Sequence, residues 1–516
     1  MAIEVSDGLV KKIHERAVYY FRDRICAIPH GSGNEEKITA WLVDFAKGLG
    51  LECKRGDEVV NGKRTYNVVI KKPGSAGYEG LDAVVLQSHI DMVCQKIRES
   101  THDFANDPIN TITSEDGKYM TANGTTLGAD NGAGAALALA VLESRDTAHP
   151  PVEALFTTDE EDGMSGAVAL PADGFITGRR LINIDTEEEG TLCCGCAGGV
   201  NASFYLPVNY ERVPDGYSFI SIGVSGLKGG HSGLEIHQGR ANAHKLMIRT
   251  LRAVRNTLST MRLVSFTGGD KRNVITKEAS AVIAVNSAHA DGVANIVDGQ
   301  RKIFAHEYDG IETEINLSAE IVTDVTATSA LSGGSLDKLI AALIAMPDGV
   351  QAMHGKVEGL VETSCNTGIV RQEEDHIYVC SLIRSCIRTK KLYVLEQMRQ
   401  LAGLAGARFS VDGDYPGWEP DANSELLARF RSAYNSAFPG SKGEGLPHVE
   451  SVHAGLECGY FSEKFPGMDM ISCGPNITGA HTPQERLDIA SMEKVVRLLL
   501  TALAQMGEAI TKGDYP

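Results

Sequence analysis

Ala83-Val84-Val85-Leu86-Gln87-Ser88-His89-Ile90-Asp91 is a short apolar run that ends in an imidazole and a carboxylate. The form recurs along the chain. Val152-Glu153-Ala154-Leu155-Phe156-Thr157 leads into Asp159-Glu160-Glu161, and Leu181-Ile182-Asn183-Ile184 leads into Asp185. Each run reads as a strand, and in open α/β sheets ligands collect at the carboxyl ends of strands. The expected fold is therefore an α/β domain whose mixed sheet carries metal-capable side chains at its strand ends.

Asp130 and His481 complete the set. With His89, Glu161 and Asp185 they suit a pair of divalent ions, because imidazole nitrogen and carboxylate oxygen are donors for zinc, cobalt or manganese. One bridging carboxylate, with a further carboxylate and a histidine per ion, gives each ion three protein ligands and leaves room for water. Three carboxylates against two dications leave a net charge of about +1, which favours ionisation of a coordinated water, whose pKa falls from roughly 15.7 toward 7. A nucleophile for hydrolysis at neutral pH follows.

Outward from these motifs, the chain is long enough for two domains, at 516 residues. The formal charge of −18 argues against nucleic acid or an anionic membrane surface as partner. Met1 to Arg24 shows no secretory pattern, and no stretch reaches the ~18 apolar residues of a membrane span, so a cytoplasmic location is expected. Eleven cysteines, an odd number, fit reduced thiols better than a disulfide framework. Cys193-Cys194-Gly195-Cys196 could be a soft-metal site, but no second cysteine pair stands at zinc-ribbon spacing, and buried free cysteine is common.

Residues 8 to 50 read as two helices broken at Ile25 to Gly33, followed by strands at Tyr66–Lys71 and Asp82–Ser88. The glycine-rich loop around Asp130 leads into the alanine-rich helix Ala135–Leu142. Its spacing is not that of a dinucleotide fingerprint. Its glycines instead allow close backbone approach, with Asp130 beside a helix N-terminus. Beyond Gly198 strands and helices alternate: a helix within His237–Val254, a strand over Val274–Val285, and a hairpin of Val361–Val370 with His376–Arg384. This block holds none of the five candidate ligands, which resume with His481. The domains expected are thus a catalytic domain made of 1–198 and 412–516, interrupted by an α+β domain at 199–411.

Taken in order, His89-Ile-Asp91-Met-Val, Thr126-Leu-Gly-Ala-Asp130-Asn-Gly, Asp159-Glu160-Glu161, Asn183-Ile-Asp185-Thr-Glu, Gly229-Gly-His231-Ser-Gly, His453-Ala-Gly-Leu-Glu457-Cys-Gly and Gly479-Ala-His481-Thr-Pro resemble the bacterial aminoacyl-histidine dipeptidases. These are the carnosine-cleaving branch of the co-catalytic zinc peptidases. The resemblance spans nearly the whole chain. It implies a cytosolic metallopeptidase that holds two divalent ions, zinc first and cobalt or manganese as alternatives, and cleaves Xaa-His dipeptides including β-alanyl-histidine. It further implies that Asp130 bridges the ions, with His89 and Asp185 on one and Glu161 and His481 on the other. Glu160 would be the general base and Asp91 the carboxylate that orients His89. The inserted domain would act as a lid that supports a homodimer and delivers His231 to the scissile carbonyl. Arg384 would grip the terminal carboxylate of the peptide.

Each residue also has a plainer reading. His89 with Asp91 could be a satisfied pair at a strand end, and Asp159 to Asp162 a solvated acidic turn. Arg384 ends a strand apolar on both faces, so its guanidinium needs an anion, which could be a structural Asp or Glu or a substrate carboxylate. His231, in a Gly-Gly-His-Ser-Gly turn, could be a surface histidine. Glu187-Glu188-Glu189 is either support for the site or solvated. His453 and Glu457 stand at helical i, i+4 spacing that could itself hold a metal, although the family pattern gives that role to His481. Among functions, deacylation of N-acyl amino acids or trimming of other short peptides would use the same centre. A silent metal-binding dimer would be expected to lose Glu160 first.

Overall fold

A computed structural model describes residues 5–60, 62–325, 327–441 and 447–508. The chain divides into two compact units: 1–195, 418–451 and 456–516 form one, and 196–417 with 452–455 form the other. These bounds differ from the expected 198/199 and 411/412. Arg408–Tyr415 pairs antiparallel with Gly198–Pro207, so the second unit keeps the chain through Tyr415. It also regains a short return at 452–455, because Ala197 N–H donates to the carbonyls of Val452 and Ala454 at 3.1 and 3.0 Å.

The first unit is built on an eight-stranded mixed sheet, in the order Glu52–Arg55, Val68–Lys72, Val152–Thr157, Val84–His89, Arg180–Asn183, Asp469–Ser472, Thr191–Cys196, His448–Val452. The four strands from Val152–Thr157 to Asp469–Ser472 run parallel, whereas Val68–Lys72 pairs antiparallel with Val152–Thr157 and with Glu52–Arg55, and Thr191–Cys196 antiparallel with Asp469–Ser472. Fully buried strands of this kind need no polar alternation, which is why Val84–His89 and Val152–Thr157 read as continuous apolar runs. Helix Ala129–Glu143 lies within the core and is buried all round, from Asn131 through Leu142. Its start differs from the expected Ala135: the element opens at Ala129 but is kinked at Asp130 and Asn131, whose backbone is not helical, so regular helix follows Asn131 and Asp130 stands just ahead of it. A Cβ at Gly134 would collide with the Ile184 carbonyl, so the helix approaches the strand end that bears Asp185.

The second unit is α+β. Its nine-stranded sheet runs Asn316–Val322, Tyr217–Ser225, Ala279–Asn286, Arg262–Gly268, Val361–Gln372, His376–Ser385, Gly198–Pro207, Arg408–Tyr415, with Gly349–Met353 paired to Val361–Gln372. Helices Ala243–Thr257, Ala290–Glu307, Gly333–Ala345 and Arg388–Ala405 bury its apolar side chains. Period-two patterning is plain in Tyr217–Ser225, where Ile220, Ile222 and Val224 are buried. Two expectations shift. The helix within 237–254 starts at Ala243, capped by the Asn242 side chain. The strand expected over 274–285 is broken after Ile275, where the Thr276 hydroxyl donates to the Gly368 carbonyl at 3.0 Å.

No disulfide joins cysteines among the described residues. Among the described residues no helix is long and apolar enough to cross a membrane.

Candidate metal centre

Three parallel strands deliver the side chains. His89 is the last residue of its strand, Glu160 and Glu161 follow Thr157 through a tight turn, and Asp185 stands two residues beyond Asn183. His481 arrives on a loop after the fourth parallel strand, Asp469–Ser472. Asp159 takes a left-handed backbone, φ 54°, and turns its own carboxylate onto Lys63 at 3.0 Å and the Ser165 hydroxyl at 2.5 Å. The acidic run is thereby divided: Asp159 is structural, while Glu160 and Glu161 join the histidines. His481 is likewise left-handed, φ 62°, and strain of this kind gathers where a fold holds a side chain for use.

Asp130 occupies the middle with its two oxygens facing different ways. Oδ1 lies 3.1 Å from His89 Nε2, which is also 3.4 Å from Asp185 Oδ1. Oδ2 lies 3.1 Å from His481 Nε2, which is also 2.9 Å from Glu161 Oε1. Two donor groups result, His89–Asp130–Asp185 and Asp130–Glu161–His481, each with ligand atoms within 4.8 Å of one another. His89, Glu160 and Glu161 meet the same criterion. No cysteine belongs to such a group among the described residues. Cys193, Cys194 and Cys196 are buried in a strand, with the Cys194 thiol on the Glu450 carbonyl.

The electrostatics call for cations. Burial pushes Glu160 well above the usual carboxylate range, aided by Asp185 and Glu161, and burial likewise raises Glu161 and Asp185. Burial would raise Asp130 too, but hydrogen bonds from His481 and His89 win and hold it low. Its partner His481 is raised to about 11 by Asp130 and Glu161. Buried carboxylates so close together cannot all ionise without positive charge among them, and a nitrogen-and-oxygen donor set of this size is that of zinc, cobalt or manganese. The residues present fit two divalent ions.

Supporting residues go beyond those singled out by motif. Asp91, expected to orient His89, lies 3.4 Å from His89 Nδ1 and also accepts the backbone N–H groups of Glu160 and Glu161, at 3.0 and 3.3 Å. Asn131 donates to Asp185 and to the Ile184 carbonyl. Glu485 accepts backbone N–H groups at the start of the Asp130 helix. Neither Asn131 nor Glu485 had a signal beyond proximity to a motif. Glu187 is exposed to solvent, whereas Glu189 pairs with Lys494 at 3.0 Å and Tyr434 at 3.2 Å. His453 and Glu457 do not form a helical pair, since the helix begins only at Glu457. Glu457 accepts from Gln87 and Thr157 in the first unit, at 2.6 and 2.7 Å, and His453 meets the Ser364 hydroxyl at 2.8 Å in the second.

His231 and Arg384 belong to the second unit. The Nδ1 of His231 accepts the N–H groups of Gly233 and Leu234, at 3.3 and 3.0 Å, so the neutral ring carries its proton on Nε2. Burial and the Arg384 charge lower its pKa and keep it neutral. Arg384 is 5% exposed. It donates to the Tyr415 hydroxyl at 2.8 Å, its Nε has no partner, and no carboxylate among the described residues forms an ion pair with it. The structural Asp or Glu that would have explained this arginine is not found among the described residues. A Cβ at Gly233 would stand 3.0 Å from His231 Cε1 and 3.2 Å from Arg384 Nε, so this glycine lets the two groups share one small region.

Comparison with known proteins shows the family. The model of peptidase family M20/M25/M40 matches residues 85–505, which span every candidate ligand. The chain belongs to that family. Among its M20 relatives, the cytosol non-specific dipeptidase of Escherichia coli (strain K12) is 41% identical over 483 residues, covering 94% of this chain and 96% of the relative. The solved aminoacylhistidine dipeptidase of Vibrio alginolyticus is also 41% identical, with a TM-score of 0.86 over 94% of this chain and 96% of that one. A tripeptidase of Staphylococcus aureus shares the fold at 15% identity, with a TM-score of 0.55 over 96% and 99% of the two chains. The mixed-sheet α/β architecture is that of M20 peptidases, and the protein is a peptide-bond hydrolase.

Proposed function

We propose that this M20 peptidase is a dipeptidase that works with two divalent ions, zinc in the first instance and cobalt or manganese as alternatives. The observation that carries the reading is Asp130, whose two oxygens each face one histidine and one further carboxylate. The ions would be held by His89, Asp130 and Asp185 on one side and Asp130, Glu161 and His481 on the other, and when bound they would acidify water and polarise the scissile carbonyl. Glu160 is the proposed base: it takes the proton from the attacking water and passes it to the leaving amine. Burial has already raised its affinity for a proton. Asp91 holds His89 and the backbone of both glutamates. His231, neutral with its proton on Nε2, would donate to the carbonyl oxygen. Arg384, lacking an anion of its own, would take the substrate's terminal carboxylate.

The two close relatives named above are both dipeptidases by name, one non-specific and one for aminoacylhistidines. We assign dipeptides with free termini as the substrate class, Xaa-His among them. A cytoplasmic location is supported by the name of the Escherichia coli relative, and a homodimer through the second unit by the resemblance of its motifs to lid-bearing peptidases. The deciding experiment is turnover of a panel by metal-loaded protein: dipeptides with and without C-terminal histidine, tripeptides, and N-acetylated or amidated versions. Free dipeptides should exceed blocked ones at least tenfold in kcat/KM, or about 1.4 kcal/mol. Faster cleavage of N-acetyl amino acids would make the protein an aminoacylase instead.

A further inference from the structure

Glu485 is buried, at 2% exposure, and its carboxylate receives four consecutive backbone N–H groups. Leu127 and Gly128 donate to Oε2 at 2.7 and 3.1 Å, and Ala129 and Asp130 donate to Oε1 at 2.7 and 3.3 Å. Each oxygen therefore faces two donors. Four N–H donors, two to each oxygen, favour an acceptor-only carboxylate there, and an amide would turn its hydrogens toward two of them. The nest is made by the backbone just ahead of the regular helix that runs on to Glu143, and Asp130, whose own backbone is non-helical, stands at that kink.

The loop that carries Glu485 also carries His481. It is folded on itself by Thr482 N–H to the Gly479 carbonyl at 3.2 Å and by Glu485 N–H to the Thr482 carbonyl at 3.1 Å. His481 itself is half exposed and left-handed, and among the described residues its side chain meets Asp130 and Glu161. A closed ring results: the Asp130 N–H bonds Glu485, the Glu485 loop presents His481, and His481 Nε2 returns to Asp130 Oδ2.

We propose that Glu485 is the positioning residue of the Asp130–Glu161–His481 ion position, fixing bridge and histidine to one another through this ring. The inference rests on the two-ion reading above. His89 and Asp185 stand at the ends of central strands and need no such tie, so losing the Glu485 carboxylate should weaken one ion far more than the other.

The test compares wild type with Glu485→Gln, Glu485→Ala and Lys72→Met. Lys72 caps the opposite end of the same helix, on the Val141 and Ser144 carbonyls, and touches no ligand. Zinc binding to chelated protein is followed by calorimetry, with thermal unfolding of the metal-free forms alongside. Wild type should take two ions per chain. Glu485→Gln should keep one and bind the other at least tenfold more weakly, with kcat falling and KM little changed. Formate should restore part of the second occupancy in Glu485→Ala, where the nest is vacated, and not in Glu485→Gln, where the amide fills it. Lys72→Met should melt earlier with both ions at wild-type affinity. If the neutral variants do not fold, Glu485→Asp, which keeps the charge, serves in their place: a weakened second ion supports the proposal. Two ions at wild-type affinity in whichever Glu485 variants fold overturn it, as does equal weakening by Lys72→Met, which would make the effect one of helix stability. Fewer than two ions in wild type would refute the two-ion reading itself, and this inference with it.

Discussion

Adjacent glutamates at 160 and 161 differ in surroundings, and the difference sets their expected behaviour. Glu161 lies against His481, while Glu160 is partly buried, belongs only to the donor group with His89 and Glu161, and has its proton affinity raised by desolvation. Glu160→Gln should retain both ions and lower kcat by roughly 10²–10⁴, the range of a positioned acid–base group. Glu161→Gln should lose metal instead, and metal analysis beside steady-state kinetics separates the two. Exchange of the phenotypes would exchange the roles. Arg384→Ala should keep both ions and raise KM for free dipeptides, removing a charge-assisted pair of about 1.5–3 kcal/mol, while leaving amidated dipeptides little affected. An equal loss on both substrate forms would mean that Arg384 does not read the carboxylate. These proposed roles were drawn from motif and chemistry. The second task of Asp91, holding the Glu160 and Glu161 backbone, was not, because a hydrogen bond between a side chain and a main chain 69 residues away has no sequence signature.

At the scale of elements, helix Ala129–Glu143 shows how far pattern reaches. Its alanine-rich run is unmistakable, but burial on every side leaves no amphipathic stripe to mark its start, and the backbone just ahead of its regular part is held by Glu485, over 350 residues on. Helix Ala243–Thr257 makes a different point, since its inward face includes His244, fully buried and pushed down to about 4 by burial. The unfolded chain takes up this proton near the ordinary 6.5 and the folded one only near 4. Stability is therefore present above pH 6.5 and lost as the pH falls through that window, by of order 1.4 kcal/mol per pH unit within it. His244→Gln should flatten this part of the acid limb of urea unfolding between pH 6.5 and 4. His453, lowered to about 3, leaves a residual slope of the same sign. An unchanged slope in the variant would show that His244 is solvated or paired in solution.

For the whole molecule, metal is expected to matter to stability as well as to rate, because the first unit gathers Asp130, Glu160, Glu161, Asp185 and Glu187 with two imidazoles among them. Chelation to well below one ion per chain should abolish hydrolysis and lower the melting temperature, and zinc, cobalt or manganese should restore both. Full activity in verified metal-free protein would sink the mechanism. The amino-acid order alone determined the strand runs, their metal-capable ends and the alternation of apolar residues beyond Gly198, because burial writes hydrophobic periods into contiguous residues. It also carried the family, through motifs that are local. Only the tertiary structure decided where the chain passes between its units, how Asp159 turns away while Glu160 and Glu161 turn in, and that Arg384 meets a tyrosine rather than an acid. It also decided that one carboxylate at 485 gathers four N–H groups. These depend on groups distant in sequence meeting in a buried place, where each polar atom must find whichever partner the packing brings, and no local pattern encodes that choice.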